Sequence, residues 1–323
     1  MALTLEQAKQ LSQDKLTNEV IDEFRQSPLL DAMPFDNTIK PQGGSSLFYT
    51  YNKIKTQPAA DARKINNEYT AQETVTEAET TQLKVFGGAY EVDRVIANDE
   101  VQVVNHIEFQ SLQKAKAARA KFHDMFINGD ADINEDEFNG IDKFIKDAQI
   151  HDKVVDIDLS SASKVKENAH ELLYALRQLS KGTEGFTHIL MNSDAYAVFL
   201  SASDVLPNIR YSRDEMGNEV YHYGNARIVD MGFKPGTNDE IIPTEDDGTT
   251  AIYGVRLAQD GVHAVTPDGS DLVQIFYPDM TAPGAVKRGE VEMVSAIVVK
   301  NTNAAAKISG IKVLAVEGDE TGE

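Results

Sequence analysis

Asn128-Gly-Asp-Ala-Asp-Ile-Asn-Glu-Asp-Glu-Phe-Asn-Gly140 stands between a long helix-forming segment and the first strand-like run beyond it. The stretch admits two incompatible readings, a calcium loop or a helix stop followed by a solvated bend. An EF-hand loop needs oxygen ligands at positions 1, 3 and 5, glycine at 6 and a bidentate glutamate at 12. Counted from Asp130, the residues Asp130, Asp132 and Asn134 fit the first three ligands. The sixth position is then Glu135, whose Cβ resists the required positive φ, and the twelfth is Ile141, which has no ligand atom. Counting from Asp132 puts Glu137 and Lys143 at those places, which is worse. The stretch therefore reads as a bend. Asn128-Gly129 stops the helix, Asp130 to Glu137 stays in solvent, and Phe138 and Ile141 return to a core.

Upstream of the bend, Asn98 or Asp99 caps a helix that reaches Ile127. Val104, Ile107, Ser111, Ala115, Ala118, Phe122 and Met125 recur at three- and four-residue steps and form one face. At 1.5 Å per residue its length is about 42 Å, well beyond an average helix. Ser and Ala in the middle of the stripe favour close packing and disfavour a coiled coil. Lys114, Lys116, Arg119 and Lys121 read as a solvated face of the same helix.

Nearer the N-terminus, Thr4-Leu-Glu-Gln7 has the form of a capping box, and a second helix is expected from Leu16 to Arg25. Leu29, Leu30, Met33 and Phe35 follow as an apolar peg. So much apolar surface in a short segment has to dock on the body of the chain or on a neighbour. Between residues 37 and 92, two aromatic and β-branched runs, 47–52 and 82–92, flank about thirty polar residues. The simplest arrangement is a projecting two-stranded arm, which is marginal alone and needs a partner surface.

Downstream, 154–159 is strand-like, Ser160 to Ser163 form a cap region, and a helix runs to Ser180. Thr187 to Met191 predicts a buried strand and Ser193 to Leu200 a short helix. Further strands are expected at 219–223, 226–230, 251–256, 262–266 and 272–277. The runs 291–299 and 304–316 read as a strand pair joined at Lys300-Asn-Thr-Asn303. The class is α+β, with an arm at one end.

Composition removes several functions. The 323 residues contain no cysteine, which excludes disulfides, thiol catalysis and cysteine metal sites. No apolar run reaches the roughly 18 residues of a membrane span. The net charge of −21 opposes an extended footprint on nucleic acid phosphates. No nucleophile elbow, metalloprotease helix, Walker loop or dinucleotide fingerprint is present. The seven histidines lack ligand spacing, and His188 falls inside an apolar strand as a hydrogen-bonded core residue. Catalytic, cofactor-binding and metal-binding residues are therefore expected to be none.

Several segments, in order, resemble the major capsid proteins of tailed bacteriophages, which share the Hong-Kong-97-type fold. They are Ser27-Pro-Leu-Leu-Asp-Ala-Met-Pro-Phe35, Ala62-Arg-Lys-Ile-Asn-Asn-Glu-Tyr69, Phe86-Gly-Gly-Ala-Tyr-Glu-Val-Asp93, Phe126-Ile-Asn-Gly-Asp130 and Glu137-Phe-Asn-Gly-Ile141. The resemblance implies an N-terminal arm at 1–36 and an extended β-hairpin loop at 37–92. It implies a peripheral domain with the long spine helix at 93–150 and 271–323, and an axial domain at 151–270.

As function it implies a structural subunit that assembles into the pentamers and hexamers of an icosahedral phage head enclosing double-stranded DNA. The implied place is the virion, after assembly in the bacterial host cytoplasm, with no membrane involved. The implied partners are copies of itself, a scaffolding protein, a portal, possible decoration proteins and packaged DNA bound without sequence specificity. Scaffolding is expected as a separate protein because no assembly domain precedes the capping box. Some relatives cross-link Lys to Asn, which draws attention to Lys53, Lys55, Lys64, Asn301 and Asn303. The alternatives are an encapsulin-type shell for cargo enzymes and, further away, a calcium-binding module.

Overall fold

The computed structural model describes residues 29–39, 44–56, 59–71, 73–97, 103–148, 151–181, 183, 185–203, 209–213, 219–267 and 273–315. The capping box at Thr4, the helix expected from Leu16 to Arg25 and the cap at Asn98 or Asp99 lie outside them.

In chain order the elements are α1 (Leu29–Ala32), β1 (Phe35–Asn37), β2 (Phe48–Thr56), β3 (Val75–Gln82), β4 (Lys84–Asp93), α2 (Arg94–Ala97), α3 (Val103–Asn128) and α4 (Ile141–Ala148). Then follow β5 (Asp152–Asp158), α5 (Ala162–Leu179), β6 (His188–Met191), α6 (Ser193–Ser203), β7 (Ile209–Arg213), β8 (Glu219–Tyr223) and β9 (Ala226–Asp230). The last are β10 (Thr249–Val255), β11 (Val262–Thr266), β12 (Gln274–Phe276), β13 (Val286–Val299), a 3-10 turn (Thr302–Ala304) and β14 (Ala305–Lys312).

Three sheets organise the described residues. One has the order β1-β11-β13-β12, with β4 also paired to β13. A second runs β5-β14-β10-β6-β9-β8-β7, and the third is the β2-β3 ribbon. Two cores follow from this. In the first, Phe122, Met125, Phe126 and Ile127 of α3 pack with Phe138, Ile141 and Ile145 and with Met293, Ile297 and Val298 of β13. In the second, Leu172, Leu176 and Leu179 of α5 and Phe199 of α6 cover Ile189, Ile228, Ile252 and Ile308 on one side of the seven-stranded sheet.

Several expectations meet the structure closely. The long helix is 26 described residues ending at Asn128, about 39 Å at the standard rise. Ser111, Ala118, Phe122 and Met125 are buried as its stripe requires, while Ala115 and Ile107 are half-buried. Ser161 caps α5, its hydroxyl oxygen accepting from the Lys164 amide. The apolar peg docks on the chain itself: Leu29, Leu30 and Met33 are buried in the first core, and β1 pairs in parallel with β11.

Two expectations are corrected. The runs 291–299 and 304–316 are not a strand pair. β13 pairs with β4, β11 and β12, whereas β14 crosses to the other sheet between β10 and β5. The 3-10 turn at Thr302–Ala304 redirects the chain, capped by Asn301 accepting from the Asn303 amide. The arm pairs β2 with β3 only, because the chain turns at buried Leu83 and β4 re-enters the body against β13.

Candidate assembly surfaces

Three surfaces are candidates for contacts with other molecules: the ribbon, its root and the acidic bend. The ribbon is antiparallel from Phe48↔Gln82 to Thr56↔Val75, with a register shift near its far end. All of β3 except Glu79 and Thr81 is exposed. Beyond the ribbon the tip is held by its own residues. The Asn67 amide donates to the Lys64 carbonyl at 3.1 Å, and Asn66 takes the left-handed conformation with φ 70°. Arg63 donates to the Asn67 carbonyl at 3.0 Å and lies 5.3 Å over the Tyr69 ring. The motif Ala62-Arg-Lys-Ile-Asn-Asn-Glu-Tyr69 is thus a folded turn, and it presents Ile65 at 89% exposure. Among the described residues nothing covers this isoleucine.

At the root, Tyr49 and Tyr51 project from the same side of β2. The Tyr49 hydroxyl donates to Asp36 at 2.7 Å, and the Lys300 ammonium sits 5.3 Å over its ring. The Tyr49 ring meets His263 edge-on, with centroids 6.0 Å apart. The Tyr51 hydroxyl donates to Glu79 at 2.6 Å, and Lys53 pairs with the same carboxylate at 2.8 Å. Burial and the neighbouring carboxylates push both phenols above their ordinary range. Burial opposes ionisation of Glu79, yet the Lys53 ammonium and Tyr51 hydroxyl hold its carboxyl below the usual value. A cavity of about 330 Å³ opens here, lined by Lys53, Glu79, Phe144, Ile145, Asp147 and Val299 among others.

The acidic bend behaves as a corner. Asn134 and Ile133 amides donate to the Asp130 carbonyl, and the Gly140 amide donates to the Gly129 carbonyl at 2.7 Å, closing its neck. The Asp132 and Asp130 carboxylates face the Lys143 ammonium at 2.7 and 3.4 Å. The second calcium frame would need that same lysine as its twelfth ligand. Phe138 and Ile141 are buried, as the bend reading requires.

Of the residues singled out for cross-linking, Lys53 is paired with Glu79 and Lys64 is exposed at the tip. The Lys55 side chain lies outside the described residues. Asn303 bonds the His151 ring at 3.0 Å, and Asn301 serves as a turn cap. His188 bonds the Thr187 hydroxyl at 3.0 Å, as expected, but is half-buried at the start of β6 rather than enclosed in a core. Buried His123 and His263 were not legible as core residues, since both fall on polar positions of their local patterns.

The fold is the Hong-Kong-97-type fold of virus and encapsulin shells. The encapsulin SrpI from Synechococcus elongatus PCC 7942 superposes with a TM-score of 0.64 at 13% identity, over 99% of this chain and 100% of that one. A structure from Mycobacterium phage Bobi gives 0.61 at 12% identity, over 94% and 97%. The capsid of Myoviridae phage XM1 gives 0.55 at 12% identity, over 93% and 97%. No family model and no curated protein matches the sequence.

Proposed function

We propose that this chain is the major shell subunit of a tailed-phage head, a structural protein without catalytic activity, assembling into pentamers and hexamers around packaged DNA. The observation that carries the reading is the ribbon: a folded arm with an exposed tip that no other described residues cover, on a fold shared over nearly its whole length with shell subunits. A closed lattice supplies the missing cover.

In this reading the residues before β1 are the N-terminal arm, and β2 and β3 with the tip between them are the extended loop. The α3 spine and the β1-β11-β13-β12 sheet with β4 form the peripheral domain. The seven-stranded sheet with α5 and α6 forms the axial domain. Those boundaries follow the sheets, so β11 and β14 change sides relative to a simple division of the chain. The net charge of −21 suits a container that holds DNA without adhering to it. A scaffolding protein, a portal, the virion location and host cytoplasmic assembly belong to the same proposal.

Electron microscopy of the purified chain, alone and with its neighbouring gene products, tests the reading. Shells or capsomers are expected, and a persistent monomer at all concentrations would defeat it. Deleting residues 56–80 should leave a folded subunit that no longer forms normal shells. The encapsulin match supports a second shell reading, separated by contents: DNA favours the phage head, and a packaged enzyme favours the encapsulin.

A further inference from the structure

The seven-stranded sheet ends in two edges of opposite charge. At one end β7, Ile209-Arg-Tyr-Ser-Arg213, carries only basic charge and is exposed from Arg210 onward, with Tyr211 at 67%. At the other end β5 exposes Asp152, Val154 and Asp156, with Val154 at 77%. Lys153 points to the opposite side, its ammonium 5.5 Å over the Tyr174 ring of α5. No further strand pairs with either edge among the described residues. Such an edge offers a row of main-chain donors and acceptors to another chain.

Side-chain alternation puts the complementary charges on the same side of the sheet. Tyr211 lies opposite Tyr221, which packs on the α5 and α6 core, so Arg210 projects to the other side. In β5, Val155 and Ile157 pack on that same core, so Asp152, Val154 and Asp156 project to the other side as well.

We propose that copies of this chain associate head to tail through these edges, β7 of one copy against β5 of the next, with Arg210 set between Asp152 and Asp156 and over Val154. A contact between two different patches closes into a ring when its rotation permits. Opposite charges on the two edges select that pairing over edge-to-like-edge association, which would bring Arg210 to Arg210 or Asp156 to Asp156. The inference rests on the shell reading, which needs a ring-forming contact, and names the residues that make it.

The test uses the full chain in two variants, Arg210→Glu and Asp156→Arg, each checked for folding by circular dichroism and melting temperature. Ring formation is read by native mass spectrometry and light scattering across a concentration series. Each variant alone should need at least tenfold more protein than the parent to form rings. An equimolar mixture should recover assembly, because the acidic β7 edge of one variant meets the basic β5 edge of the other. Recovered rings should be even-numbered, hexamers without pentamers, since the two variants must alternate. Parent-like assembly of either variant alone, or a folded mixture that stays dissociated, overturns the proposal while leaving the shell reading intact. Failure of the parent chain to form any ring or shell defeats the shell reading itself and this contact with it.

Discussion

At the neck of the acidic bend, Gly129 and Gly140 touch backbone to backbone. A Cβ on Gly129 would lie 2.2 Å from the Phe138 carbonyl oxygen, and one on Gly140 would lie 2.6 Å from the Ile127 carbonyl oxygen. Neither oxygen can move without opening the turn that returns Phe138 to the core. Gly129→Ala is therefore expected to destabilise the chain by about 2–4 kcal/mol, read as a lower urea midpoint at unchanged slope. The stop at Asn128-Gly129 was legible in the sequence; the need for a second glycine was not, because it arises only when the two ends meet. Histidine burial was equally hidden. His123 follows Phe122 on a helix whose C-terminal turn is enclosed on several sides, burying residues 122, 123, 125, 126 and 127 together. Burial, with Arg119 nearby, pushes its imidazole down to about 4 from 6.5. The folded chain thus binds fewer protons than the unfolded chain between those values, so stability is full above pH 6.5 and falls toward pH 4. For His123 alone the loss from pH 6.5 to 5 is about 2 kcal/mol. His188 and His263 are depressed to about 4 in the same way and add to the slope. Urea denaturation at pH 7 and pH 5 should show a smaller difference for His123→Leu than for the parent. An unchanged difference would mean that His123 titrates normally.

The arm was legible as an element, but its strand partners were not. Periodicity marks 47–52 and 82–92 as strands, yet alternation alone does not show that the chain turns at Leu83 and sends β4 to β13. The same limit explains the false pair at 291–299 and 304–316: adjacency in sequence favours a hairpin, and only the global packing sends β14 into the other sheet. Helix α4 was missed because a single amphipathic pair of turns follows directly on the acidic bend, where polar composition reads as loop. Two tyrosines join the ribbon to the body, and each has a carboxylate acceptor. Removing the Tyr51 hydroxyl leaves Glu79 with Lys53 but loses a charge-assisted hydrogen bond of about 1.5–3 kcal/mol in a half-buried place. Tyr51→Phe is expected to speed amide exchange across β2 and β3 while leaving β4 and β13 protected. Uniform loss of protection would show that the root is not a separate cooperative unit.

At the scale of the molecule, an ionic cluster among the described residues bridges the two cores. Asp142 stands in the first turn of α4, whose Ile141 and Ile145 belong to the first core. Its carboxylate accepts from Lys307 of β14 at 2.6 Å and from the Tyr253 hydroxyl of β10 at 3.0 Å, and it pairs with Lys146 at 2.6 Å. β14 and β10 also contribute Ile308 and Ile252 to the second core, on the far side of the seven-stranded sheet. Burial opposes ionisation of Asp142, but the Lys146 and Lys307 ammonium groups hold its carboxyl below the ordinary range. A half-buried cation left without its partner costs more than the pair contributes, because desolvation is then uncompensated. Asp142→Ala should therefore destabilise the chain by about 2–4 kcal/mol, with Lys307 stranded beside the Tyr253 ring 5.4 Å away. Amide exchange should rise in residues 141–148 and 305–312 together, since each segment braces the other. Asp142→Leu combined with Lys307→Met removes both charges and should recover at least half of the loss. If the double variant is no better than Asp142→Ala, or exchange rises in α4 alone, the cluster is a local surface pair and the two cores are joined by apolar packing only.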